Sequence, residues 1–172
     1  MAQSTARNAE RDAAQAEEEG AARNLTLLTD LYQLTMMSGY LKNGKQNDIA
    51  VFDLFFRRNS VITYSVAAGL EQAVAYIRSI RFTEEDIAYL RSLGLFEEPF
   101  LDYLRSFRFT GDVFAVPEGT VVFPEEPILT VRAPLLEAQF VETALLNIVN
   151  HQTLIATKAA KIAYAAAGGE VM

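Results

Sequence analysis

Residues 135–166 read LLEAQFVETALLNIVNHQTLIATKAAKIAYAA, one long helical pattern. Phe140, Val141, Leu145, Ile148, Leu154, Ile155 and Ile162 leave it apolar on nearly every side, with a break suggested near Asn150. A helix of that kind is a buried one. A chain of 172 residues can only just enclose it, so the expected packing surface is a further domain outside these residues. The run is not a membrane span, because Glu137, Glu142, Asn147, Asn150, His151 and Lys158 interrupt it.

Upstream of Pro134 the period changes. Residues 112–116, 120–123 and 128–132 are short apolar stretches separated by Pro117, Gly119, Pro124 and Pro127, which predicts strands joined by turns. Before them, Pro99 opens a helix to about Phe107, and Thr83-Glu84-Glu85-Asp86 resembles a capping box opening another that runs to about Leu93. Leu70, Val74 and Ile77 give helical spacing over 69–80. AVFDLFFR (50–57) and VITYSVA (61–67) are rich in β-branched and aromatic residues and predict strands. The first structured segment begins at Leu25. Thr29 is the expected N-cap of a helix starting at Asp30, and Asn43-Gly44 the stop. Leu31, Leu34, Ser38 and Leu41 share one face of that helix; Tyr32, Met36 and Gly39 share another, where a small residue would admit a neighbouring backbone or a ligand. Residues 1–24 contain no aromatic side chain and only Met1 as a large apolar one, so a solvated tail is expected there.

The net charge of -7 and pI near 4.8 argue against a nucleic-acid surface. The absence of cysteine removes disulfides, thiolate metal sites and a cysteine nucleophile. With no secretory signal or spanning segment, the cytoplasm is the default location.

Few residues offer chemistry. His151 is the only histidine and lies within the long apolar helix, where a packed structural role is expected. No glycine-rich phosphate loop and no histidine–carboxylate cluster is present in the sequence. Glu97-Glu98 and Glu125-Glu126 are sequence neighbours that do not face each other, and read as solvated surface. Arg57-Arg58 closes an otherwise apolar strand: a guanidinium there can hold a phosphate or carboxylate bidentately, or simply solubilise a strand end. Tyr32 is either a core aromatic or a platform on which a flat ring stacks.

The order of segments is more specific than any one of them. LTDLYQLTMMSG (28–39), FDLFFRR (52–58), AGLEQAVAY (68–76), PEGTVVFPEEP (117–127) and VETALLNIVNHQTLIATKAAKI (141–162) together resemble the nicotinate phosphoribosyltransferases, from about Leu25 to the last residue. The resemblance implies a type II phosphoribosyltransferase, with an N-terminal α/β domain over 25–134 after the 1–24 tail. Residues 135–172 would be a linking helix and the start of an irregular α/β barrel that is truncated here. It also implies a homodimer with shared active sites, acting on nicotinate and 5-phosphoribosyl 1-diphosphate with Mg²⁺, and using ATP hydrolysis through a phosphorylated histidine. No nucleic acid or membrane enters that picture.

Carried over by position, Tyr32 matches the tyrosine that stacks on the pyridine in the partner subunit's site. Arg57 matches an arginine that meets the phosphoribosyl diphosphate, also across the dimer. The phosphorylated histidine has no match here, His151 does not inherit the role, and no metal ligand is carried over. A chain lacking the barrel is expected to be inactive alone. Quinolinate phosphoribosyltransferases resemble the long helix but tend to carry Glu-Arg where this chain has Glu142-Thr143. Nicotinamide phosphoribosyltransferases tend to have Ser-Tyr-Lys in place of Leu31-Tyr32-Gln33. Both differences favour nicotinate. The alternative from another class is a short non-catalytic homologue that dimerises or binds a partner through the apolar helix.

Overall fold

In the computed structural model, which describes residues 24–58 and 63–169, the first element is helix α1, Leu31–Lys42. Its N-cap is Asp30 rather than the expected Thr29. The Asp30 carboxylate accepts a hydrogen bond from Thr143 Oγ1 at 3.0 Å, while Thr29 Oγ1 is enclosed without a partner among the described residues. The long-range tie takes the place of a local cap. Gly44, at φ +66°, ends the helix in the left-handed conformation that glycine adopts without steric cost. The buried residues of α1 are Gln33, Leu34, Met37 and Ser38, whereas Leu31 is half exposed. The inward stripe is therefore rotated from the one that Leu31 and Leu41 suggest.

Strands β1 (Ile49–Leu54), β3 (Asp112–Ala115) and β5 (Leu129–Pro134) form one antiparallel sheet with β5 in the middle. A second ribbon pairs β2, Ser65–Val66, with β4, Val121–Val122. The stretches 50–57 and 61–67 thus pair with later strands and not with each other; residues 61 and 62 lie outside the described residues. β1 stops at Leu54, short of the expected Arg57, because its partner runs out. Leu54 faces Leu129, Ile128 N–H donates to the Leu54 carbonyl at 2.8 Å, and the chain before Ile128 turns through Glu125 at φ +69°. Phe55 to Arg58 continue as irregular chain.

Helix α2, Leu70–Ser79, starts at Gly69, where φ is +100° and an added Cβ would lie 3.2 Å from the Ile148 carbonyl oxygen. Glu118 Oε1 accepts the N–H groups of Gly69 at 2.7 Å and Leu70 at 2.6 Å, so the carboxylate of the PEGT turn caps this helix and complements its dipole. Helix α3, Glu84–Ser92, carries the capping box expected from its sequence, with Thr83 and Asp86 bonding each other's backbone N–H. Helix α4, Glu98–Ser106, has Pro99 in its first turn. Arg91 reaches across to Glu98 through two bonds of 2.6 and 2.7 Å on the surface, where solvent screens such pairs.

Helix α5, Leu135–Ala165, runs unbroken past Asn150. Its first half fills the centre of the domain. Phe140 is fully buried, with ring centroids 5.3 Å from Phe82 and 5.2 Å from Phe107, and Leu136, Val141, Ala144 and Leu145 pack beside it. The expectation that the whole helix needs an outside surface therefore fails for residues 135–149, which the sheet, α1 and α2 cover. The proposed tail, 1–24, lies outside the described residues except Asn24, which is exposed and donates to Asp86 Oδ2 at 2.9 Å.

Candidate functional site

The two residues singled out for binding lie on either side of one stretch of α5. Tyr32 projects from the first turn of α1, and the residue is 49% exposed. With Asp30, Thr143, Asn147, Asn150 and His151 it lines an open depression of about 320 Å³. Arg57 lies in the irregular chain after β1, exposed, on the rim of a larger cavity of about 560 Å³ between the sheet and α5. That cavity is walled mainly by apolar groups, among them Phe52, Phe56 and Leu145, with Asp53, Ser65, Glu142, Asn150 and Thr153 as polar points. Leu146 and Asn150 border both spaces. Tyr32 and Arg57 border adjoining spaces and do not meet in one pocket.

The structure sets aside the bland alternative for Tyr32 alone; an exposed Arg57 fits a solvated chain end as well as an anion site. Tyr32 is not a core aromatic, and Arg57 is not tied to a carboxylate among the described residues. An added Cβ at Gly39 would meet nothing within 4 Å among the described residues, so this point of α1 has the room its small residue suggested. His151 corrects the expectation of a packed histidine: it is exposed, on the outer side of α5, because the helix has left the core by that turn. Glu97-Glu98 and Glu125-Glu126 are surface groups as expected, Glu97 pairing with Lys42 at 2.7 Å.

What the sequence hides is the support beneath Tyr32. Gln33 is fully buried. Its Nε2 donates to Tyr32 Oη at 2.9 Å and to Glu142 Oε2 at 2.8 Å, and its Oε1 accepts from Gln139 Nε2. The one available signal is that Gln33 sits between Tyr32 and Leu34, one helical turn before Met37, on a stripe that the structure turns inward. Partial desolvation, then the negative charges of Glu142 and Asp30, hold the Tyr32 phenol above its ordinary value, so the hydroxyl keeps its proton.

Chemically, this face offers a flat aromatic surface, an unpaired guanidinium and hydrogen-bonding amides, with no activated nucleophile beside them. That suits holding an aromatic ring and an anion, and leaves bond making to groups from elsewhere.

The model of the nicotinate phosphoribosyltransferase (NAPRTase) N-terminal domain matches residues 27–150. The nicotinate phosphoribosyltransferase of Bacillus subtilis is 51% identical over 140 residues, which are 81% of this chain and 29% of that protein. That of Mycobacterium tuberculosis is 46% identical over 147 residues, 85% of this chain and 32% of the relative. The crystal structure of human nicotinic acid phosphoribosyltransferase superposes with a TM-score of 0.75 at 39% identity, over 83% of this chain and 29% of the human one. The chain spans about a third of the length of the curated relatives it matches.

Proposed function

The chain belongs to the nicotinate phosphoribosyltransferase family, and from that premise we propose that the protein carrying it joins nicotinate to 5-phosphoribosyl 1-diphosphate. The products are nicotinate mononucleotide and diphosphate, with ATP hydrolysed alongside, as a step of NAD biosynthesis in the cytoplasm. In this reading residues 25–134 are the N-terminal α/β domain, and the helix after them leads into the barrel that carries most of the catalytic groups. The protein works as a homodimer, in which Tyr32 and Arg57 of one subunit complete the site of the other.

The observation that carries the reading is the half-exposed Tyr32, held at its hydroxyl by the buried Gln33. A ring presented outward on a rigid helix can stack on a pyridine brought by another surface. Arg57 borders the adjoining cavity, exposed and with no carboxylate partner among the described residues, as a group for the phosphates of the second substrate would. Charge development at the ribose carbon then falls to anionic and polar groups arranged around it. Mg²⁺ and ATP belong to the reading through the family. Among the described residues no three His, Asp or Glu side chains converge to hold a metal, so these residues do not fit that ion and no step is routed through it.

The test is kinetic and selective. In the whole enzyme, Tyr32→Ala raises the nicotinate KM on the order of tenfold or more, whereas Tyr32→Phe, which keeps the π-face, retains most of kcat and raises that KM less. Arg57→Ala weakens use of phosphoribosyl diphosphate by roughly ten- to a hundredfold and leaves nicotinate use much less affected. A mixed dimer of a Tyr32→Ala subunit with one disabled in its barrel recovers one intact site. Loss of folding without a selective nicotinate effect would return Tyr32 to a structural role.

A further inference from the structure

The buried glutamine under Tyr32 has a definite orientation. Glu142 can only accept, so the amide nitrogen of Gln33 must face it, and the same nitrogen's second hydrogen is directed to Tyr32 Oη. The amide oxygen is then left to accept from Gln139 Nε2. Both donors and the acceptor of Gln33 are used, in a side chain with no exposed surface. A fully satisfied buried polar group of this kind is rigid, because each bond lost there costs a desolvation penalty that water does not repay. Gln139 and Glu142 stand one turn apart on α5, so the orientation of the phenol is referred to the helix at the centre of the fold. Without that bond an exposed tyrosine on the first turn of a helix is free to change rotamer.

We propose that Gln33 is a positioning residue for the base-binding tyrosine, holding the Tyr32 ring in its stacking orientation through the relay Glu142–Gln33–Tyr32, with Gln139 locking the amide. The inference rests on the reading of Tyr32 as the platform for the pyridine, and adds what aims it. Gln33 touches no substrate. It acts through the phenol oxygen alone, so its contribution disappears when that oxygen is absent.

A double-mutant cycle in the whole dimeric enzyme reads this directly. Gln33→Leu raises the nicotinate KM roughly two- to tenfold, the effect of losing one neutral hydrogen bond, and more than it lowers kcat or changes the KM for phosphoribosyl diphosphate. Tyr32→Phe gives a shift of similar size, and the double variant is no worse than either single one. An effect of Gln33→Leu that is undiminished in the Tyr32→Phe background overturns the positioning role; with Tyr32→Ala still selective for nicotinate, the stacking reading survives it. If Tyr32→Ala leaves the nicotinate KM unchanged, the stacking reading itself falls and the positioning role with it. A second pair covers the case in which Gln33→Leu does not fold. Glu142→Gln keeps an acceptor for Gln33 and a KM near the parent's, whereas Glu142→Met raises it; equal behaviour of the two overturns the relay.

Discussion

The two halves of α5 read alike in sequence and sit in different surroundings. Over residues 135–149 the large apolar side chains are enclosed: Leu136, Phe140, Val141, Leu145 and Ile148 belong to the core. From Asn150 onward Leu154, Ile155 and Ile162 are exposed, and the buried residues are Thr153 and Thr157. Those two threonines attach the second half to the domain. Thr157 Oγ1 accepts from Val66 N–H at 2.9 Å, and Thr153 Oγ1 bonds both the N–H and the carbonyl of Ala68 at 3.2 Å. Apolarity along a helix therefore does not by itself say which part its own chain encloses. The first half is covered by its own chain and held by packing; the second is held by the two threonine hydroxyls, a Gln152–Gln72 bond and Lys161 over the Tyr64 ring.

The strongest way to break the comparison is at the centre of the first half. Phe140→Ala opens a cavity among Phe82, Phe107 and their neighbours and is expected to cost about 3–5 kcal/mol in chemical denaturation of this chain. A loss below about 1 kcal/mol would show that the first half is not the core. Glu137 tests the polar side of the same half. Its buried carboxylate accepts from Thr110 N–H at 2.6 Å and from Thr110 Oγ1 at 3.0 Å, so Glu137→Ala leaves both donors unmet. The expected loss is about 1–3 kcal/mol, and a neutral result would mean that solvent reaches them. The smallest effect belongs to the second half: Ile155→Ser should change the stability of this chain by less than about 0.5 kcal/mol. A larger loss would place Ile155 under a surface that the described residues do not supply.

Much of the fold was legible because it depends on local chemistry. The capping box at Thr83, the glycine stop at Gly44 and the proline-punctuated strands after Asp112 follow from neighbours within a turn or two. The errors share a cause in distance along the chain. Thr29 lost the N-cap position to Asp30, whose carboxylate is tied to Thr143. β1 ended early because the strand opposite it turned away. His151 was read as packed because its helix is apolar, yet that turn lies beyond the core.

Of the site, the sequence by itself determined the residue types: an aromatic at 32, an arginine at 57, and the ordered blocks that place the chain in its family. Those are properties of composition and order, which survive without coordinates. Only the tertiary structure decided that Tyr32 is exposed while Gln33 beside it is buried, and that Gln33 meets Glu142 across 109 positions of sequence. The reason is rotational. A helix offers every face equally until packing selects one, and the bonds that selected this face of α1 come from α5, whose place was set by the sheet it fills.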